Sequence, residues 1–324
     1  MNEWHVFKGK TNIDDLLNDY PEWRRFDGEV VTSIPEDNLL EQWPERELKR
    51  AVNYYLEDPL QIDIINVAIR LRRPLLVTGK PGSGKSSLAY AIAYNLQLDR
   101  VLQWPISSKS TVKDALYMYD AIARLEDANI SQTLFRNPKK PPIEQYIRLG
   151  PLGTAFLPQK KPRVLLIDEI DKSDIDIPGD LLNIFEEGEF QIEELLRINA
   201  TNVKVKTYKS ETEVIIPDGI IKCSSFPIII MTSNGERDFP PQFLRRCIRL
   251  DIKPPDLTKM QGIVENHFPN NKNEINRLID SFIEKKDELA SDQLLNAIFL
   301  RTQSIFDLEN REDLLNVILK SLNN

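Results

Sequence analysis

The sequence predicts an α/β fold in which a parallel sheet is flanked by helices and followed by a smaller, all-helical domain. Apolar strand candidates alternate with helical patterns between residues 61 and 254. A glycine-rich segment joins the first of these strands to a helix, and only helical patterns follow Pro254-Pro255. A chain of 324 residues is long enough for two such domains.

Residues 1–60 are interpreted as an N-terminal extension. Its aromatic residues are scattered among prolines instead of following helical spacing, and packing onto the main domain is favoured over anchoring a partner. These aromatic residues are Trp4, Phe7, Tyr20, Trp23, Phe26 and Trp43.

Residues 61–254 are interpreted as the α/β domain. Strands are predicted at 75–78, 100–104, 164–167 and 228–232, with helices at 61–71, 86–96 and 179–187 between them. A β-hairpin is predicted between Val203 and Cys223, before the last of these strands. The proline-rich, basic segment 129–162 is predicted to be an exposed insertion.

Residues 255–324 are interpreted as a second, all-helical domain, here called the lid domain. Apolar residues recur at helical spacing, which predicts a small bundle. They include Leu278, Phe282, Leu289, Leu294, Leu295, Ile298, Phe299, Leu314, Leu315, Ile318 and Leu322.

Composition and charge restrict the partners. The formal net charge of -8 disfavours a nucleic acid partner, which would be held by basic residues. The two cysteines lie in or beside apolar runs and are predicted to be reduced structural thiols. The first ten residues lack an apolar signal segment, and no stretch approaches the roughly 18 apolar residues of a membrane span. We therefore expect a cytoplasmic protein without a membrane partner.

The strongest functional signal is a phosphate-binding loop. The segment from Gly79 to Ser86 matches G-x-x-x-x-G-K-[ST] between an apolar strand and a helix. Glycines let backbone N–H groups surround phosphate oxygens, a lysine adds charge, and a hydroxyl can bind Mg²⁺. The predicted ATP-binding residues are Gly79, Pro81, Gly82, Ser83, Gly84, Lys85, Ser86 and Ser87.

Two carboxylates follow the apolar strand at 164–167. Asp168 is predicted to bind Mg²⁺ together with Ser86, and Glu169 to orient and polarise the attacking water. An acidic pair after a strand is usually a solvated strand end. The phosphate-binding loop upstream favours the catalytic interpretation.

Polar residues later in the chain are further candidates. Asn234 follows the strand at 228–232 and could reach the γ-phosphate or the water, although Asn234-Gly235 is also a common turn pair. Arg245 and Arg246 are adjacent, and one of them could stabilise phosphoryl charge across a subunit interface. Surface charge is the alternative for this pair.

The chain resembles the MoxR-like AAA+ ATPases, including those found beside bacterial defence modules. The resemblance covers about Asp63 to Asp251 and is carried by four strings. They are Arg73-Pro74-Leu75-Leu76-Val77-Thr78-Gly79-Lys80-Pro81-Gly82, Ile167-Asp168-Glu169-Ile170-Asp171-Lys172-Ser173-Asp174, Phe185-Glu186-Glu187-Gly188-Glu189-Phe190 and Phe243-Leu244-Arg245-Arg246-Cys247.

The resemblance implies an AAA+ core with a hairpin, a helical lid and a homo-oligomeric ring, usually a hexamer. Asn234 then corresponds to sensor 1, and Arg245 or Arg246 to the arginine finger. A sensor 2 arginine is missing from residues 289–294, and Arg301 lies later on the same predicted helix. Proteins with von Willebrand factor A domains are frequent clients of the family.

The leading hypothesis is an ATPase that remodels or activates a protein partner, such as a von Willebrand factor A protein or a defence effector. The client would contact Ser107–Lys113 or Tyr146–Phe156. Two alternatives remain: a nucleotide-controlled assembly scaffold with little hydrolysis, and a nucleic-acid-linked NTPase motor.

Overall fold

The computed structural model describes residues 3–16, 19–30, 39–134, 141–199, 201–253 and 260–264, together with 293, 295–296 and 298–299. Its strands are β1 (Leu75–Gly79), β2 (Leu102–Pro105), β3 (Tyr117–Tyr119), β4 (Ile147–Leu149), β5 (Val164–Asp168), β6 (Glu189–Gln191), β7 (Val203–Lys206), β8 (Glu213–Ile216), β9 (Ile220–Lys222), β10 (Ile228–Ser233) and β11 (Ile248–Ile252). Its α-helices are α1 (Ile13–Leu16), α2 (Glu45–Val52), α3 (Pro59–Arg70), α4 (Lys85–Asn95), α5 (Val112–Leu116), α6 (Ala121–Leu134), α7 (Pro151–Ala155), α8 (Ile177–Glu187), α9 (Glu193–Arg197) and α10 (Pro241–Leu244).

The central sheet is parallel, with the strand order β11-β1-β10-β5-β2. Alternate side chains of β1 enter two different cores, because successive residues of a strand face opposite sides. Leu76 belongs to one core, whereas Leu75 and Val77 belong to the other. Helices contribute to both cores, and the second sheet contributes to the one that contains Leu76. The prediction of an α/β fold with a parallel sheet is confirmed.

The predicted hairpin is present as β7 and β8, paired antiparallel from Val203↔Ile216 to Lys206↔Glu213. It belongs to a second sheet of order β3-β4-β7-β8. The end of the predicted hairpin segment differs, because β9 pairs with β6 instead.

The prediction of an exposed insertion at 129–162 is wrong for residues 143–157. Leu149 on β4, and Leu152 and Phe156 on and after α7, are fully buried. Pro151 lies in the first turn of α7, where proline is favourable, and therefore starts a helix instead of marking a loop. A Cβ at Gly153 would lie 1.9 Å from the Leu116 carbonyl oxygen, so this glycine permits close packing. Tyr146–Phe156 is thus not a free client surface, and residues 135–140 lie outside the described residues.

The N-terminal segment packs against the core that contains α3 and α4. Phe7 and Trp43 are buried there, whereas Trp23 is 80% exposed. Asn66 on α3 fixes this packing: its Oδ1 accepts from the N–H groups of Val6 and Phe7, and its Nδ2 donates to the Phe7 carbonyl.

Most of the predicted lid domain, including Arg301 and residues 289–292, lies outside the described residues. Residues 260–264 are helical, as are the described positions between 293 and 299. Within the described part of the chain, no helix has the length and apolar character needed to cross a membrane.

Candidate functional site

The phosphate-binding loop connects β1 to the buried helix α4. Gly82 and Gly84 have φ angles of 73° and 87°, in the left-handed region that favours glycine. Gly84 is the N-cap of α4, so the free N–H groups of the first helical turn, with their partial positive charge, are directed at the loop. This arrangement suits an anion.

Lys85 begins α4 and its side chain is folded under the loop. Its Nζ donates to the carbonyl oxygens of Gly79 at 2.7 Å and Lys80 at 2.8 Å. Burial lowers the pKa of Lys85, while the carboxylates of Asp171, Asp168 and Glu169 oppose this shift. The negative charges of these three carboxylates therefore favour the charged form of the buried lysine.

Asp168 forms a cluster of oxygen atoms at the end of β5. Ser86 Oγ donates to Asp168 Oδ1 at 2.7 Å, and Thr232 Oγ1 donates to the same oxygen at 2.6 Å. Thr232 Oγ1 also accepts from the backbone N–H of Glu169 at 2.9 Å. Residues from three elements thus fix the position predicted to hold a metal.

Glu169 has a left-handed backbone conformation, with φ 62° and ψ 48°. This conformation is uncommon for a residue other than glycine and is frequent at functional sites. The Glu169 side chain accepts from Lys172 Nζ at 2.9 Å and lies 3.5 Å from Asn234 Nδ2. The hydrogen bond with Glu169 raises the pKa of Lys172. The sequence-predicted residues Glu169 and Asn234 are therefore neighbours.

Asp171 holds the turn that carries Asn234. Its side chain is buried, and Oδ2 accepts from the backbone N–H groups of Asn234 at 2.8 Å and Glu236 at 3.2 Å. Sequence reasoning missed Asp171 and Thr232 as site residues. The available signals were a third carboxylate in the string after β5 and a hydroxyl near the end of an apolar strand.

The phosphate-binding loop, Asp168, Glu169, Thr232 and Asn234 line a cleft of about 440 Å³, whereas Asp171 lies behind its lining residues. The whole lining set is Arg50, Asn53, Tyr54, Tyr55, Pro81, Gly82, Ser83, Gly84, Lys85, Ser86, Ser87, Asp168, Glu169, Thr232, Asn234, Ile263 and Leu295. Arg50 Nε donates to Ser87 Oγ at 2.9 Å. The sequence interpretation missed Arg50 and the tyrosines because it treated residues 1–60 as an extension outside the site.

The two candidate arginines do not line this cleft. Arg246 Nε donates to Glu186 Oε1 at 2.8 Å. Arg245 is exposed. Its backbone N–H donates to the Pro241 carbonyl and its own carbonyl accepts from Arg73 Nη1, both at 3.1 Å, but its guanidinium has no hydrogen bond in the described part of the chain. The neighbouring arginines therefore differ: Arg246 is held within the subunit, and the Arg245 guanidinium is available.

The segment that carries these site residues matches a known protein family. The model of the AAA domain (Cdc48 subfamily) matches residues 73–246, more than half of the chain. The chain belongs to this AAA family. The prediction of an ATPase is confirmed at this level.

Comparison with individual proteins adds little to the family assignment. A solved structure described as "Structure of C. elegans PCH-2" is similar over 85% of this chain and 72% of that one, with 15% identity and a TM-score of 0.46. No curated protein matches the sequence.

Proposed function

We propose that this AAA protein is a MoxR-like, Mg²⁺-dependent ATPase that works as a homo-oligomeric ring, expected to be a hexamer, and remodels a protein partner. The observation that carries the proposal is the convergence of Lys85, Ser86, Asp168 and Glu169 on one cleft. The four strings quoted above support the MoxR-like assignment.

ATP binding is assigned to the loop and to the residues facing it. Backbone N–H groups at the start of α4 and the Lys85 ammonium would hold the phosphates. Arg50 adds a further positive charge to the cleft. Tyr54, Tyr55 and Ile263 also line the cleft and would contact the base through their apolar surfaces.

The oxygen atoms around Asp168 fit Mg²⁺. This ion prefers oxygen ligands and keeps several waters, so one hydroxyl and one carboxylate together with phosphate oxygens suffice. Ser86 and Asp168 would hold it. When bound, the ion would neutralise charge on the β- and γ-phosphates.

Hydrolysis is assigned to Glu169, with Asn234 beside it. The Glu169 carboxylate would orient the attacking water and accept its proton, and the amide of Asn234 would contact the water or the γ-phosphate. Lys172 and Asn234 keep the carboxylate near the end of β5. Thr232 fixes the backbone beneath it.

We assign the trans arginine to Arg245. The Arg246 guanidinium is already bound to Glu186, whereas that of Arg245 is exposed and outside its own cleft. A guanidinium in this position can reach a nucleotide only on another subunit, where it would stabilise phosphoryl charge. For the client, a von Willebrand factor A protein or a defence effector, the largely exposed Ser107–Lys113 segment remains as a contact surface.

The primary test is steady-state phosphate release with ATP and Mg²⁺ across a protein concentration series, with oligomeric mass measured in parallel. We expect specific activity to rise with assembly, and Glu169→Gln to bind ATP but lose activity at least roughly 100-fold. Glu187→Gln, at an exposed position of α8, is the matched control. Normal turnover in Glu169→Gln would overturn the mechanism. If the wild-type protein binds ATP but does not hydrolyse it, the scaffold alternative is favoured.

Subunit mixing tests the trans arginine. Lys85→Ala subunits, which should not bind ATP, still present an intact Arg245. Mixed with Arg245→Ala subunits they should restore part of the activity. If activity is restored in neither mixture, a shared site is contradicted. If Lys85→Ala subunits restore the activity of Arg246→Ala but not that of Arg245→Ala, Arg246 is the trans arginine.

A further inference from the structure

Arg24 is a buried arginine on an otherwise exposed stretch of the N-terminal segment. Its residue exposure is 6%, whereas the preceding Trp23 is 80% exposed. The Arg25 side chain that follows is 70% exposed and pairs with Asp27. A buried guanidinium requires many partners, because burial removes its hydration.

The Arg24 guanidinium finds these partners at the end of α8 and beside α3. Nη2 donates to the carbonyl oxygens of Arg72 at 2.7 Å and Phe185 at 3.0 Å. The guanidinium also lies 4.7 Å from the ring centre of Phe226. A cation that caps a carbonyl of the last turn is favourable at a helix C-terminus. Arg24 thereby attaches the N-terminal segment to α8.

The remaining contact of Arg24 leads to the arginine pair. Arg24 Nη1 lies 3.4 Å from Glu186 Oε2, and Arg246 Nε donates to the other oxygen, Oε1, at 2.8 Å. One carboxylate therefore joins the N-terminal segment to Arg246. Arg245, the residue before Arg246, also accepts a hydrogen bond from Arg73 through its backbone carbonyl.

We infer that Arg24 is a positioning residue for Arg245 and acts through Glu186 and Arg246. The inference rests on the proposed function, in which Arg245 completes the site of a neighbouring subunit. Glu186, held by Arg24, gives Arg246 a fixed anchor. The anchored Arg246 restricts the backbone from which Arg245 projects.

This role has a kinetic signature. Loss of Arg24 should leave the subunit's own loop and cleft intact and misplace the arginine that it offers to its neighbour. We expect Arg24→Ala to lower kcat roughly 3- to 10-fold with little change in KM for ATP, because a misplaced charge weakens transition-state stabilisation more than substrate binding. Arg25→Ala, one residue away and exposed, should leave both constants unchanged.

Subunit mixing separates positioning in trans from support of the subunit's own fold. Lys85→Ala subunits carry an intact Arg24 and Arg245 and can complete the sites of Arg24→Ala subunits. Activity per Arg24→Ala subunit should therefore rise in the mixture. If Arg24 only stabilises its own subunit, the activity per Arg24→Ala subunit will stay at its level before mixing, and the inference fails.

If Arg24→Ala folds poorly, a second variant can still test whether Arg24 acts through Glu186. Glu186→Gln keeps the shape of the side chain but removes the charge that both arginines contact, and it should give the same kcat defect and the same rescue. Because both residues act through one carboxylate, the double variant should be no worse than the more affected single variant. Additive effects would overturn the inference.

The Arg245→Ala mixture distinguishes the two possible failures. If Arg245→Ala is rescued by Lys85→Ala subunits but Arg24→Ala and Glu186→Gln are not, the ATPase ring stands and the positioning role of Arg24 is wrong. If none is rescued, the shared site itself is wrong, and the inference falls with it.

Discussion

At the scale of single residues, one hydroxyl connects the carboxylates that we propose bind Mg²⁺ and orient the attacking water. Thr232 Oγ1 donates a hydrogen bond to Asp168 and accepts one from the N–H of Glu169. Thr232 is 1% exposed, so water cannot replace either bond without rearrangement. The hydroxyl thereby orients Asp168 and stabilises the left-handed backbone of Glu169.

We predict that Thr232→Val will lower ATP turnover roughly 10- to 100-fold, because a buried N–H and a carboxylate oxygen lose their partner. The variant should also need a higher Mg²⁺ concentration for half-maximal activity, because Asp168 is less well oriented. Thr232→Ser keeps the hydroxyl and should retain most of the activity. Phosphate release across a Mg²⁺ series measures both effects. Equal activity of the two variants would show that the hydroxyl is not needed.

Sequence and structure agree best where a function depends on neighbours in the chain. The loop from Gly79 to Ser86 and the pair Asp168-Glu169 could be predicted because each motif is continuous. The positions of Thr232 and Arg50 in the cleft could not, since they depend on β10 lying beside β5 and on α2 lying against α4. These packings join segments far apart in sequence.

At the scale of elements, Gly79 joins the central sheet to the phosphate-binding loop. Its φ is 149°, and a Cβ there would lie 2.5 Å from the Ile252 carbonyl oxygen of β11. Gly179 in α8 offers a contrast, because a Cβ at that position meets no atom within 4 Å. The same substitution should therefore have opposite effects at the two sites.

We predict that Gly79→Ala will destabilise the protein by about 1–3 kcal/mol and weaken ATP binding, through backbone strain and displacement of β11. Gly179→Ala should stabilise it by up to about 1 kcal/mol, because alanine loses less backbone entropy in a helix. Urea unfolding and ATP titration measure these effects. A stabilised Gly79→Ala variant would contradict the close contact with β11.

The error about residues 129–162 also arose at the element scale. Prolines and glycines are typical of loops, but Pro151 starts α7 and Gly153 allows that helix to approach Leu116. The same residue types thus serve the packing of a buried helix. Local composition could not separate these uses, because the distinction depends on the partner element.

At the scale of the whole molecule, several polar contacts attach the start of the N-terminal segment to the core, and Asn66 makes three of them. Asn66 is fully buried and uses both ends of its amide on the backbone of Val6 and Phe7. Loss of this amide would leave two backbone N–H groups unpaired. The central sheet does not depend on the same bonds.

We predict that Asn66→Ala will speed amide hydrogen exchange of residues 3–16 at least roughly tenfold, because a lost buried hydrogen bond is worth about 1–3 kcal/mol. Exchange within β1, β5 and β10 should change far less. Asn183→Ala, at an exposed position of α8, is the control. Equal acceleration in the sheet would show that the segment and the core unfold together.

The buried thiols predict how the whole molecule responds to alkaline pH. Burial raises the pKa of Cys223 and Cys247 from 9.0 to about 12. Above pH 9 the unfolded chain releases these protons while the folded protein retains them, so stability that is fully present below pH 9 is lost as pH rises towards 12. Each thiol should contribute a slope of about 1.4 kcal/mol per pH unit in this window.

We therefore predict that the free energy of unfolding in reducing buffer will fall by about 2 kcal/mol per thiol between pH 8 and 10.5. Cys223→Ala will be less stable at pH 8 because it leaves a cavity, but its stability should fall less steeply with pH, since one titrating group is gone. Urea unfolding at both pH values measures the difference in slope. Parallel losses in the two proteins would mean that Cys223 titrates alike in the folded and unfolded states, which its 1% exposure argues against.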